Sequence, residues 1–154
     1  VARDYAGFVS LFPTTFQTFN QVYGYVGDQP APLYDVSYDH ITFLFDHGDY
    51  PVDSLMGKVI DIAVEGYWDA DAINFFHDEA TAFINEHTSN FVAAWSAMET
   101  TEQKLVLRFF LDGPCHHKER YAQWQKTLHA YPQAMEMLSR EYQWMMEIFE
   151  LDSQ

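Results

Sequence analysis

The fold class predicted by the sequence is all-α: a single-domain orthogonal bundle of about seven to eight helices over residues 1–154. Three observations carry this expectation. Apolar residues recur at steps of three and four along most of the chain, as one face of a helix requires. Proline and glycine punctuate the periodic stretches. No alternating strand series with hairpin turns, internal repeat or low-complexity tract breaks the pattern. A chain of 154 residues buries about 68–70% of its unfolded surface around one core, and with 27 Phe, Tyr and Trp residues that core is built from rings.

Tyr5, Phe8, Val9, Phe12, Phe16, Phe19, Tyr23 and Val26 form one helical stripe, which Pro13 must break or kink, so 3–26 holds two helices or one bent helix. Residues 27–33, with Pro30 and Pro32, read as loop. Ser37 or Asp39 can cap a helix ending at Gly48, although Ile41 to Phe45 also fits a buried strand; helical neighbours favour helix. Val52, Leu55, Met56, Val59, Ile60 and Ala63 repeat between Pro51 and Gly66, the clearest helix of the first half. Asp69 or Asp71 can cap the next, whose Ile73, Phe76, Ala80, Phe83, Ile84 and His87 share a face. A short helix carries Phe91, Val92, Trp95 and Met98.

Thr100 and Gln103 have the spacing of a reciprocal cap, and 101–112 is then the expected central buried helix, stopped by Gly113-Pro114. Tyr121, Trp124 and Leu128 mark a further helix, and Met135, Leu138, Tyr142, Met145 and Phe149 mark the last, after Pro132. Met135, Met137, Met145 and Met146 lie at core spacing with Leu138 and Phe149, which favours packing over an adaptable binding face. The expected core includes Phe83, Trp95, Leu105, Leu107, Phe109 and Phe110.

Charge is unevenly placed. Residues 1–100 carry fifteen acids against Arg3 and Lys58, so thirteen of the fifteen net negative charges fall there. A field of one sign attracts cationic partners and repels phosphate. Direct nucleic-acid binding is disfavoured, because the five bases from Lys104 to Lys126 sit on a chain of net charge −15 and form no recognised module. No apolar run has the length of a membrane span, and Val1 to Phe12 does not read as an export signal. Cys115 is the only cysteine, which excludes an intrachain disulfide and favours a reducing, cytoplasmic setting.

Catalytic signatures are missing at the level of motif. No Gly-rich phosphate loop, nucleophile elbow or Glu-x-x-His pair occurs. Cys115-His116-His117-x-Glu119 gathers a thiol, two imidazoles and a carboxylate, but adjacent histidines on a helix point to different sides, whereas ligands want spacings of three or four. The sequence therefore assigns no metal and no cofactor to Cys115, His116, His117 and Glu119, without excluding one. A lone cysteine beside Pro114 is expected to be inert. Asp39-His40 and Asp46-His47 are Asp-His pairs seven apart, the hardware of a general base without a nucleophile to serve. Asp39-His40 ahead of Ile41 to Phe45 is similar to the Asp-His pair of the all-helical chaperones that mature redox enzymes. The Glu-Pro that precedes the pair there is missing, and the likeness stops with this segment, so no family is assigned.

The class that best fits is a non-enzymatic interaction protein, an adaptor, regulator or chaperone-like module that binds a basic protein or peptide through the acidic first hundred residues. The alternatives are a binder of a hydrophobic small molecule in an aromatic pocket, a mimic of DNA charge that inhibits a nucleic-acid-binding protein, and a histidine-dependent enzyme. Acidity that only solubilises needs no partner. No membrane partner is expected, and the sequence is silent on oligomeric state.

Overall fold

Pro13 separates the first two helices of a computed structural model that describes residues 4–46, 50–113 and 117–152. Helix α1 (Tyr5–Leu11) starts where the Asp4 carboxylate accepts from the Gly7 amide, 2.9 Å. Helix α2 (Phe16–Tyr23) starts at a reciprocal box in which Thr15 and Thr18 satisfy each other's amides. Val9, Phe12, Phe16, Phe19 and Tyr23 of the expected stripe are buried. Val26 departs from it: the helix stops before Gly24, and Val26 lies 59% exposed in β1 (Tyr25–Val26), paired antiparallel with β2 (Gln29–Pro30). Gly27 turns this ribbon at φ 63°, a conformation that glycine adopts without penalty. The expected loop thus contains a two-residue strand.

A 3₁₀ turn at Tyr34–Val36 leads into α3 (Ser37–Phe45), so helix wins over strand there and buries Ile41 and Leu44. Val36 occupies the cap position in place of Ser37 or Asp39. The expected end at Gly48 lies outside the described residues. Helix α4 (Val52–Glu65) buries Leu55, Met56, Val59, Ile60 and Ala63 as their spacing predicts. Asp71 precedes α5 (Ala72–Glu86) at φ 67° and gives the helix no side-chain cap. Ile73, Phe76, Ala80 and Ile84 are buried, while Phe83 is only half-buried, its ring shared between Phe45 and His87.

Helix α6 (Thr88–Ser96) buries Phe91 and Trp95, whose indole donates to the Gln103 carbonyl, 2.9 Å. Helix α7 (Thr100–Leu111) begins one residue earlier than expected: the Glu99 amide donates to the Glu102 carboxylate, and the Gln103 amide turns back to the Met98 carbonyl. Val106, Leu107, Phe109, Phe110 and Leu111 are buried, but Leu105 is 36% exposed. A turn of 3.6 residues carries position 105 away from the side shared by 106, 107 and 110, so its place in an apolar run misleads.

Helices α8 (His117–Leu128) and α9 (Pro132–Asp152) pack on each other, with Tyr121 stacked on Tyr142 at 4.0 Å and 3°. Met145 is buried and Met135, Met137 and Met146 pack half-buried against the core, whereas Phe149, expected on the same face, is 42% exposed. Helix α7 lies against α4 and α9, α3 against α5, and α2 and α6 against α4. Buried side chains from α1 through α9 join in one cluster. The chain is an all-α protein with nine α-helices among its described residues. No helix there is long and apolar enough to cross a membrane.

Candidate functional site

Helices α1 and α3 pack through Tyr5, Phe8 and Phe43, and the Tyr5 hydroxyl donates to the Leu44 carbonyl. Above that contact opens a groove of ≈440 Å³ lined by Asp4, Phe8, Val36, Asp39, His40 and Phe43. His40 stands edge-on to Phe8 and Tyr23, with ring centres at 5.4 and 5.8 Å. Burial pushes the Tyr23 phenol up to about 12, so its hydroxyl stays protonated and donates to His40 Nδ1 across 3.1 Å. Tyr23, not Asp39, therefore orients the imidazole. The sequence pairs His40 with its neighbour, yet adjacent helical residues diverge and the partner comes from α2. Of the second Asp-His pair, Asp46 is exposed after α3 and His47 lies outside the described residues.

Carboxylates at the rim and rings on the walls suit a cation on an aliphatic stem: the charge meets Asp4 and Asp39 while the stem covers Phe8 and Phe43. The wider surface has the same sign. Every described acid before Thr100 is exposed except Glu79, which is half-buried. The only described lysine or arginine in that stretch, Lys58, turns inward to donate to the Phe12 carbonyl at 3.1 Å. Desolvation lowers its ammonium pKa, against the pull of Asp61.

A second polar cluster was not marked by any motif. His77 is 1% exposed on α5, with Nε2 3.2 Å from the Phe109 carbonyl and Nδ1 2.6 Å from Arg120 Nη1. Asp78 lies 3.6 Å from the imidazole and 3.8 Å from the guanidinium, and its carboxyl is held below the usual range, first by hydrogen bonding to His77. One signal was available: His77 falls four residues after Ile73 and three before Ala80, a polar residue on an apolar face.

A third concavity, ≈260 Å³, is apolar and lies between α7 and α9, with Tyr67, Leu105, Trp144 and Phe149 exposed around it. Of the Cys115-to-Glu119 group, Cys115 and His116 lie outside the described residues. His117 meets the Leu111 carbonyl through Nδ1 at 3.1 Å and stacks on Phe149 at 4.6 Å, and Glu119 lines the cleft beside His77 and Arg120. Among the described residues no three of His, Cys, Asp and Glu gather as a metal would need. The chain matches no protein-family model, and no curated protein or solved structure matches it significantly.

Proposed function

We propose that the chain is a non-enzymatic interaction protein, adaptor-like or chaperone-like, that seats a basic protein or peptide segment in the acid-rimmed groove between α1 and α3. The observation that supports this most is an excess of one sign: among the described residues before Thr100, carboxylates that are exposed at all but Glu79 face a single ammonium, Lys58, which turns inward, and Asp78 is paired with Arg120. The groove adds rings that a flexible basic side chain can cover. The single cysteine fits a cytoplasmic setting for this role.

The test uses a lysine-rich fluorescent peptide with interspersed aromatic residues and the intact chain. Binding is expected to weaken steeply as salt shortens the Debye length from about 10 Å at 0.1 M to about 3 Å at 1 M. Asp35→Asn, Asp39→Asn and Asp46→Asn together should raise Kd about tenfold, while the same number of changes at Asp61, Glu65 and Glu86 should matter less. Neither set should shift the melting temperature much, since exposed carboxylates contribute little stability. Equal loss from both sets would leave only a diffuse field, and no loss from either would make the acidity solely solubilising.

A second reading rests on the α7–α9 groove, where four exposed apolar residues, Tyr67, Leu105, Trp144 and Phe149, surround one concavity. It would take a hydrophobic small molecule. Trp144 emission should then shift on addition of an apolar aromatic probe, and Leu105→Asp should abolish the shift.

A further inference from the structure

Among the residues that line the α1–α3 groove, His40 alone carries a side-chain nitrogen, and Tyr23 decides what that nitrogen offers. The Tyr23 side chain is buried, 3% exposed, and among the described residues its hydroxyl has one partner, His40 Nδ1 at 3.1 Å. A buried hydroxyl that finds no acceptor forfeits a hydrogen bond, so the Tyr23 proton points at Nδ1. Burial also keeps that proton in place, since it raises the phenol to about 12. With Nδ1 accepting, a neutral imidazole carries its own hydrogen on Nε2. The two ring nitrogens point in different directions: Nδ1 faces α2, and Nε2–H lies on the side of the ring that meets the groove. Phe8, edge-on at 5.4 Å, supplies no acceptor, and Nε2–H has no partner among the described residues.

We propose that His40 Nε2–H is the donor by which the groove selects its occupant, and that it reads a main-chain carbonyl of an extended basic segment, which makes the occupant a strand-like peptide and not an amphipathic helix. This rests on the reading of the groove as the seat of a basic segment. The choice of acceptor follows from charge. A carboxylate or phosphate oxygen would have to enter between Asp4 and Asp39, which repel it. A main-chain carbonyl is neutral, and every residue of an extended segment has one to offer. In a helix all but the last four carbonyls are already taken by the helix's own amides.

The rest of the groove fits the same occupant. Asp4 holds the Gly7 amide through Oδ1 and keeps Oδ2 for a cation, and Asp39 is exposed on the first turn of α3. Phe8 and Phe43 stand edge to face at 5.0 Å and give an aliphatic stem a surface to cover. A lysine whose ammonium meets the carboxylates while its stem crosses these rings brings its own backbone to the His40 side. Side chains alternate along an extended chain, so the groove takes every second residue of the segment. Tyr23 touches none of this directly; it is a positioning residue that acts through His40.

The test uses the intact chain, isotope-labelled at its histidine nitrogens, and two versions of one lysine-rich peptide: a linear form, and a form closed into a helix by a side-chain cross-link one turn long. In the free chain the His40 nitrogen shifts should report the Nε2–H tautomer. On addition of the linear peptide the Nε2–H proton should move downfield and exchange more slowly with water. The helical form should leave that proton unmoved and bind about tenfold more weakly, because the donor loses water without gaining a carbonyl. His40→Leu should abolish the difference between the peptides, and His40→Gln, which keeps a side-chain donor, should restore most of it. In Tyr23→Phe the ring remains but the nitrogen shifts should become those of mixed tautomers, and the preference for the linear form should shrink. An Nδ1–H tautomer in the free chain, or equal binding of both forms with the Nε2–H proton unmoved, overturns the proposal and leaves the groove's preference for a basic segment standing. Failure of both forms to bind overturns the reading of the groove itself, and this inference with it. The wild-type spectra and the two peptides decide the matter even where a His40 variant fails to fold.

Discussion

Glu141 on α9 accepts from Nε of Arg108 on α7 at 2.6 Å, with the carboxylate 6% exposed and the guanidinium 31%. Arg108 also lies 3.6 Å over the Trp144 ring, so one cation joins α7 to α9 twice. Glu141→Ala should destabilise the protein by about 2–4 kcal/mol, toward the lower part of the range for a broken buried pair because Arg108 still reaches water. Glu141→Gln keeps an acceptor and should cost about half as much. Urea unfolding of the two variants measures both.

Phe110 and Leu105 stand on opposite sides of α7, one fully buried against Trp124 and one at the surface. Phe110→Ala should cost about 3–5 kcal/mol, whereas Leu105→Ala should stay below about 1 kcal/mol. Equal losses in thermal unfolding would place Leu105 in the core after all.

How much of this was legible in the sequence depends on how far apart the interacting residues lie. The inward side of α4 follows from Leu55, Met56, Val59, Ile60 and Ala63, because every constraint there is local periodicity. Residues 105–111 are apolar on nearly every side, so spacing alone gives no phase and points Leu105 inward, whereas it lies at the surface. Helix α7 starts one residue before the threonine spacing indicates, because its first turn is closed from Glu99, whose amide donates to the Glu102 carboxylate. The α1–α3 groove was partly visible as Asp39-His40, but the residue that orients His40 is Tyr23, seventeen positions upstream. His77 and Arg120 are forty-three positions apart, and only the fold brings them together.

Gly66 ends α4 beneath the Phe109 ring. A Cβ there would fall 2.6 Å from Phe109 Cδ2 and 2.9 Å from the Ile62 carbonyl, contacts that neither group can yield without moving α7 or the helix end. Gly66→Ala should therefore cost about 1–3 kcal/mol as overpacking. Because the Phe109 carbonyl accepts from His77, the His77 imidazole signals should shift in this variant, which a histidine-selective NMR spectrum would detect.

Alkaline stability should report on Tyr23. Its folded pKa is raised by burial from 10.0 to about 12, so the unfolded chain loses the phenolic proton first. The stabilisation is complete below pH 10 and is lost as pH rises from there through about 12. Tyr5, raised by burial and by Tyr50, adds in the same direction. The melting temperature of the wild type should fall over this window, and Tyr23→Phe should flatten part of the fall; an unchanged slope would remove Tyr23 from the account.

The inward turn of Lys58 has a practical chemical consequence. Its amine is bound to the Phe12 carbonyl, and beyond it the next lysine is Lys104. Lysine side chains on α7 and α8 will accordingly take up amine-directed cross-linkers and labels, and no exposed lysine stands on the α1–α3 side among the described residues. Zero-length coupling through activated carboxylates inverts that bias: Asp35, Asp39 and Asp46 become the reactive handles, and a lysine on any seated partner supplies the nucleophile. An isopeptide bond to Asp39, which lines the groove, would record both the occupant and its register there.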